Sequence, residues 1–166
     1  HWDQESVFIV EGPKLVKELL ESDWTIEKIY ASAEWLNAQD AIGVPTEQVD
    51  EIILARISQF KTANQVLALV KKKLANAPLK FDKELTLVLD GIQDPGNFGA
   101  IIRTADWFGV KQIVVSEDNA GLYNPKVVQS TMGSFLRVHV AQYNIEAVLS
   151  TSKLPVYGAV LAGAPL

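Results

Sequence analysis

The sequence predicts an α/β protein built from two consecutive units. Three observations predict it. Short apolar runs of strand character alternate with amphipathic stretches at helical spacing. The alternation breaks once, at 75–83 (ANAPLKFDK), where Pro and charge separate two strong apolar runs. With 48% hydrophobic residues in 166, the chain has ample apolar content for a core. The expected organisation is a first domain at 1–76, a linker at 77–84 and a second domain at 85–166.

The first unit opens with a strand at 7–12 ending in Gly12, and Pro13 then suits the first turn of a helix. Leu15, Val16, Leu19 and Leu20 recur at helical spacing through about Ser22, with Lys14, Lys17, Glu18 and Glu21 on the outer face. A strand follows at 26–31, a helical stretch at 33–38 and a short extended segment at 43–45. Residues 47–57 read as helical, with Val49, Ile52 and Ile53 on the buried side. Residues 66–70 (VLALV) form a buried strand that exits into Lys71, Lys72 and Lys73, read as a solvated exit. Between them Ser58 to Asn64 reads as a polar loop, in which Lys61 could touch a nucleic-acid backbone.

The second unit starts with a strand at 85–89. The turn-rich Asp90, Gly91, Asp94, Pro95 and Gly96 follow, then a helix with Asn97 as its N-cap. Ile101, Ile102, Ala105 and Phe108 form its apolar stripe, and Gly109 is its C′ residue. A strand at 112–115 leads to a helix begun by Asn124-Pro125 and ended by Gly133 and Ser134. Further strands are expected at 135–140 and 155–161, with a helix at 144–150. This strand–helix alternation favours a parallel sheet with right-handed crossovers.

Composition narrows the function classes. Cysteine is absent, which excludes disulfides and thiolate chemistry. The two histidines, His1 and His139, are far apart, so no metal site is expected, and His139 reads as a structural or edge residue. A net charge of −5 argues against a charge-driven nucleic-acid binder, although a few converging Lys and Arg residues suffice locally. No apolar run reaches membrane-spanning length, and the first residues carry no export leader, so a cytoplasmic location is expected.

The stretch 87–109 carries the chemistry. Arg103 stands four residues after Gly99, one turn below a position with no side chain, and the helix N-terminus adds unpaired N–H groups. An anion site at the carboxyl end of a strand is one reading. Pairing of Arg103 with Asp106 on a solvated face is the other.

Two signatures give this unit a family likeness. The first is Asp94-Pro95-Gly96-Asn97-Phe98-Gly99, then Arg103-Thr104-Ala105 and Phe108-Gly109. The second is Asn124-Pro125-Lys126, then Thr131-Met132-Gly133-Ser134. Together they closely resemble the SpoU, or TrmH-like, branch of the SPOUT RNA methyltransferases. The first unit is similar to the L30e-like substrate-binding domain of the same enzymes, through residues 8–12 and 57–70. The resemblance implies a small L30e-like α/β domain followed by a truncated SPOUT-type parallel-sheet domain. A third signature, which forms most of the S-adenosylmethionine pocket and a trefoil knot, is missing.

What the resemblance implies is an S-adenosylmethionine-dependent RNA 2′-O-ribose methyltransferase acting on ribosomal or transfer RNA, a homodimer at full length and inactive as the present fragment. Arg103 would hold the target phosphate and help activate the hydroxyl, and Asn97 would orient the loop and nucleophile. A guanidinium, with a pKa above about 12, is a poor base. Asn124 and Lys126 would brace the site or touch RNA, with Lys61 a further RNA contact. Ala159 and Leu161 would supply one wall for the cofactor. The alternative is a non-catalytic RNA-binding or assembly protein on the same fold. A Rossmann oxidoreductase is weaker still, because the loop after Leu89 lacks Gly-x-Gly-x-x-Gly.

Overall fold

The computed structural model describes residues 6–73, 78–79 and 85–159. Of the linker expected at 77–84, only Pro78 and Leu79 fall among the described residues. The first unit runs β1 (Val7–Glu11), α1 (Pro13–Leu20), β2 (Ile26–Ala31), α2 (Ala33–Asn37), β3 (Thr46–Gln48), α3 (Glu51–Ile57) and β4 (Val66–Lys71). Its sheet has the order β1-β4-β2-β3. It is mixed: β4 lies antiparallel between β1 and β2, and β3 joins β2 in parallel.

The second unit runs β5 (Thr86–Leu89), α4 (Pro95–Trp107), β6 (Gln112–Val115), α5 (Pro125–Ser130), a 3₁₀ turn at Ser134–Leu136, β7 (His139–Gln142) and α6 (Ile145–Thr151). Its sheet, β5-β6-β7, is wholly parallel. That is the arrangement a repeated strand–helix alternation demands, because each parallel pair needs a crossover.

Several boundaries differ from the sequence expectations, each for a local reason. Residues 43–45 are not a strand; the strand is β3, three residues on. The following Val49 N–H donates to the Ala31 carbonyl at 2.9 Å, which ties this stretch to β2. The helix expected from 47 begins only at Glu51, since Asp50 caps it by accepting from the Ile53 N–H at 2.8 Å. Residues 135–138 are not extended. Gly133, at φ +91°, turns the chain into the 3₁₀ segment that buries Phe135, and β7 starts at His139. Residues 155–159 are irregular and exposed, Val156 at 59% and Tyr157 at 73%, because no described strand offers them a ladder. Residues 160 and 161 of that expected strand lie outside the described residues.

The units share packing. Phe8, Val10, Val16, Leu19 and Trp24 of the first unit form one buried cluster with Val128 and Phe135 of the second. Trp24 sits edge-on to Phe135 with ring centroids 5.4 Å apart, and Phe8 does so at 5.9 Å. A second cluster, centred on Phe98, Ile102, Ile113 and Val127, belongs to the parallel sheet and α4. Ion pairs rim the seam: Arg137 Nε donates to Asp106 at 2.8 Å and its Nη1 to Glu18 at 3.2 Å. Burial alone would lower the pKa of Arg137, but these two carboxylates outweigh it and raise it.

Of the lysine run, Lys73 is tied down, paired with Asp23 at 3.1 Å and lying 4.4 Å from the Trp24 ring centroid. His139 lies in β7 with its Nε2 buried and unpartnered. Among the described residues, no helix is long and apolar enough to cross a membrane, and no group of three or more His, Cys, Asp or Glu could hold a metal.

Candidate functional site

The loop after β5 is held from behind before α4 begins. The Gly91 N–H donates to Ser116 Oγ at 2.9 Å and the Ile92 N–H to Asn119 Oδ1 at 2.6 Å. Gly91 itself sits at φ +67°. The loop is therefore pinned to the carboxyl end of β6.

Asp94, not Asn97, caps α4. Its Oδ1 accepts from the Asn97 N–H at 2.7 Å, and Pro95 occupies the first helical position. Asn97 is an exposed first-turn residue, its side chain released from capping duty. This changes the electrostatics. The end of α4 already carries a carboxylate on its N–H groups, so an incoming phosphate does not meet a bare helix terminus. Lys126 Nζ stands 4.0 Å from Asp94 Oδ2, and its Cε lies 3.9 Å from where a Cβ on Gly96 would be. A long cation thus lies across the first signature from the second.

Gly99 is not an open position beside a ligand. It is buried at the crossing of α4 and α5, where a Cβ would stand 2.5 Å from Ser130 Cβ and 2.9 Å from the Val127 carbonyl oxygen. The helices pack this closely because neither presents bulk there. The stripe of α4 is Phe98, Gly99, Ile102 and Ala105; Phe108 and Trp107 are 77% and 85% exposed. Phe108 lies outside the core because it is already the C-cap, and Gly109 at φ +76° turns the chain away.

Arg103 is exposed on the flank of α4 below Gly99, and its Nη1 donates to Met132 Sδ at 3.1 Å. It does not pair with Asp106, which is taken by Arg137 at 2.8 Å and lies 3.9 Å from Lys111. Met132, a member of the second signature with no role assigned from sequence, is a non-glycine residue at φ +49°. The following Gly133 marks a sharp helix exit.

Asn124 caps α5, its Oδ1 accepting from the Lys126 N–H at 2.9 Å. Asp94 therefore meets the Asn97 N–H and the Lys126 ammonium at the adjoining ends of α4 and α5, and Asn124 caps the helix that carries Lys126. Arg103 is separate from that group: six residues beyond Asn97, it points roughly 120° away around the helix and about 9 Å along it. Lys61 is exposed in the loop after α3 and is not brought to either. Its neighbours Gln59 and Phe60 line a small crevice with Pro125 and Gln129.

Comparison with known proteins places this arrangement. The profile of the SpoU rRNA Methylase family matches residues 84–165, and that of the MRM3-like substrate binding domain matches residues 1–68. A solved TrmH-family structure from Porphyromonas gingivalis is 36% identical, with a TM-score of 0.84, over 99% of this chain and 69% of its own. The chain belongs to the SpoU, or TrmH-like, family. Its SpoU relatives include the 23S rRNA (guanosine(2553)-2′-O)-methyltransferase RlmP of Bacillus subtilis, 30% identical over 96% of this chain. The chain spans 65% of that relative's length. The AdoMet-bound rRNA methyltransferase from Sinorhizobium meliloti is 27% identical, with a TM-score of 0.76, over 90% of this chain and 59% of its own. In the present SpoU chain, two residues were expected to supply one wall for the donor. Ala159 is exposed in the irregular 155–159 segment, and Leu161 lies outside the described residues.

Proposed function

We propose that the protein to which this chain belongs is an RNA 2′-O-ribose methyltransferase acting on ribosomal or transfer RNA with S-adenosylmethionine as donor. The observation that carries the reading is the convergence of the two signatures. Asp94 joins Asn97 to Lys126, while Gly99 lets α4 and α5 pack closely enough to hold that convergence. The rRNA methyltransferases among the relatives support the reaction class.

The described residues supply the acceptor side. Arg103 and Lys126 offer charge to phosphates, and Asn97 offers a neutral amide able to orient a hydroxyl. Arg103 acts as an electrostatic clamp rather than as the proton acceptor. The first unit, 1–76, serves as the RNA substrate-binding domain, Lys61 contacts RNA backbone, and 85–166 is the methyltransferase part. Ala159 and Leu161 belong to the donor wall, which needs further chain to close. The enzyme works in the cytoplasm as a homodimer.

Methyl transfer from labelled S-adenosylmethionine to rRNA and tRNA, by this chain and by the full-length protein, tests the reading. The expected outcome is activity at full length, little in the 166-residue chain, and a loss of about 100-fold in full-length Arg103→Ala. A full-length protein that binds no S-adenosylmethionine would instead make it an RNA-binding or assembly protein.

A further inference from the structure

A cleft of about 460 Å³ lies between the two units, lined by β1 and the loop after α3 on one side and by the carboxyl ends of β6 and β7 on the other. Crevices at the carboxyl ends of parallel strands are where such sheets place ligands, and this volume falls in the range of small-molecule sites. Its chemistry is unusual for the chain it sits in. The protein carries 20 acidic residues and a net charge of −5, yet among the described residues no carboxylate lines the cleft. Four carboxamides do, Gln59, Asn119, Asn124 and Gln142, with Lys72 as the lining cation and apolar walls between them.

The hydrogen bonds already made decide what these amides have left to offer. Asn119 Oδ1 accepts from the Ile92 N–H and Asn124 Oδ1 from the Lys126 N–H, so each carbonyl end is already held by a backbone N–H of the protein. The Ser116 hydroxyl accepts from Gly91 and donates its proton to Asp118 at 2.5 Å, so it has no proton left for a ligand. The donors left are the amide nitrogens, and among the described residues Asn119 Nδ2 is buried with no partner. An orphan buried donor raises the free energy of the empty site until an acceptor arrives. A planar group with carbonyl oxygens, flanked by apolar walls, fits that arrangement.

We propose that this cleft takes one unpaired nucleotide of the RNA, with a base that presents carbonyl oxygens, guanine or uracil, to the amide donors of Asn119 and Asn124. Single-stranded bases splayed from RNA are recognised in this way, by apolar contact with their faces and hydrogen bonds to their edges. The proposal rests on the RNA-directed reading above and adds a base-reading subsite to it. Asn124 links the two, since it borders the cleft and caps the helix that carries Lys126.

Titration of the isotopically labelled 166-residue chain with GMP, UMP, AMP and ribose 5-phosphate tests it by NMR. The side-chain amide signals of Asn119 and Asn124 should move with GMP and UMP, less with AMP, and not with ribose 5-phosphate. Asn119→Asp keeps an acceptor for the Ile92 N–H but replaces the donor, and should weaken GMP binding about tenfold or more. Gln142→Glu, at an exposed position, should weaken it too, and guards against a folding defect in the first variant. Equal responses to all four ligands, or wild-type GMP affinity in both variants, would overturn the proposal. The two readings fail separately: nucleotide binding without methyl transfer at full length sinks the methyltransferase, and methyl transfer without nucleotide binding sinks the cleft.

Discussion

Met132 holds φ +49°, a conformation that costs an L-residue about 1–2 kcal/mol, and its side chain is 59% exposed. Burial therefore does not compensate for the strain. What the position gains is a contact: its thioether accepts from Arg103 at 3.1 Å. Met132→Gly relieves the strain but adds about 0.4–1 kcal/mol of unfolded-state entropy, for a net gain of roughly 0.5 kcal/mol in denaturant unfolding. The same variant frees Arg103, so RNA affinity should fall a few-fold. A variant that is destabilised would show that the backbone strain is offset in the native fold, and one that binds RNA as tightly as the parent would show that the contact does not position the guanidinium. The cap of α4 shows how far single residues were legible. Asp94-Pro95 carries the signal of a cap followed by a first-turn proline, and that signal outranks the equally cap-competent Asn97. The fate of Arg103 was not legible, because its partner lies 29 residues away in a turn whose backbone angle no local pattern specifies.

At the scale of elements, α4 against α5 is the contact that joins the two signatures. Gly99→Ala would press a methyl against Ser130 Cβ at 2.5 Å and the Val127 carbonyl at 2.9 Å, with backbone on one side that cannot rotate away. The expected cost is about 1–3 kcal/mol of stability, together with displacement of Lys126 from Asp94. Thermal unfolding and RNA binding check it, and an unchanged melting temperature would mean the helices separate freely. Sequence periodicity located nearly every element, since strands at 7–12, 26–31, 66–70 and 112–115 are each apolar runs with clear punctuation. It failed where a tertiary partner decides. Thr46–Gln48 is exposed and becomes a strand only through its pairing with β2, whereas the strongly apolar 155–159, which pairs with no described strand, stays irregular. Gly99 was read as an opening for a ligand because a missing side chain looks the same in sequence whether a substrate or a helix fills the space.

On the scale of the whole molecule, the seam between the units was the least legible feature, because it is built from residues scattered along the chain. Trp24 Nε1 donates to the Leu136 carbonyl at 3.4 Å across 112 positions, and Phe8, Tyr123 and Phe135 close around it. A shared core makes the units unfold together. Phe135→Ala, at 1% exposure, should cost about 3–5 kcal/mol and lower the hydrogen-exchange protection of both sheets. Loss confined to the second sheet would show the units to be independent. Tyr123 adds a pH signature to the same seam. Its hydroxyl accepts from the Lys73 N–H at 2.9 Å and donates to the Lys73 carbonyl at 3.0 Å, which joins the exit of β4 to the loop before α5. Burial raises its pKa above the ordinary phenol value, and the Lys73 N–H only partly offsets this. With the folded value above the unfolded one, the neutral phenol's contribution is complete below about pH 10 and disappears as pH climbs from there through the folded value. Wild type should therefore exceed Tyr123→Phe in stability by about 1 kcal/mol at pH 8, and that margin should shrink as pH rises past 10. Paired denaturant titrations from pH 8 to about 11 measure the margin directly. A margin that stays constant across that range would mean the hydroxyl is not desolvated at the seam, and a margin of zero at pH 8 would mean it does not hold the units together.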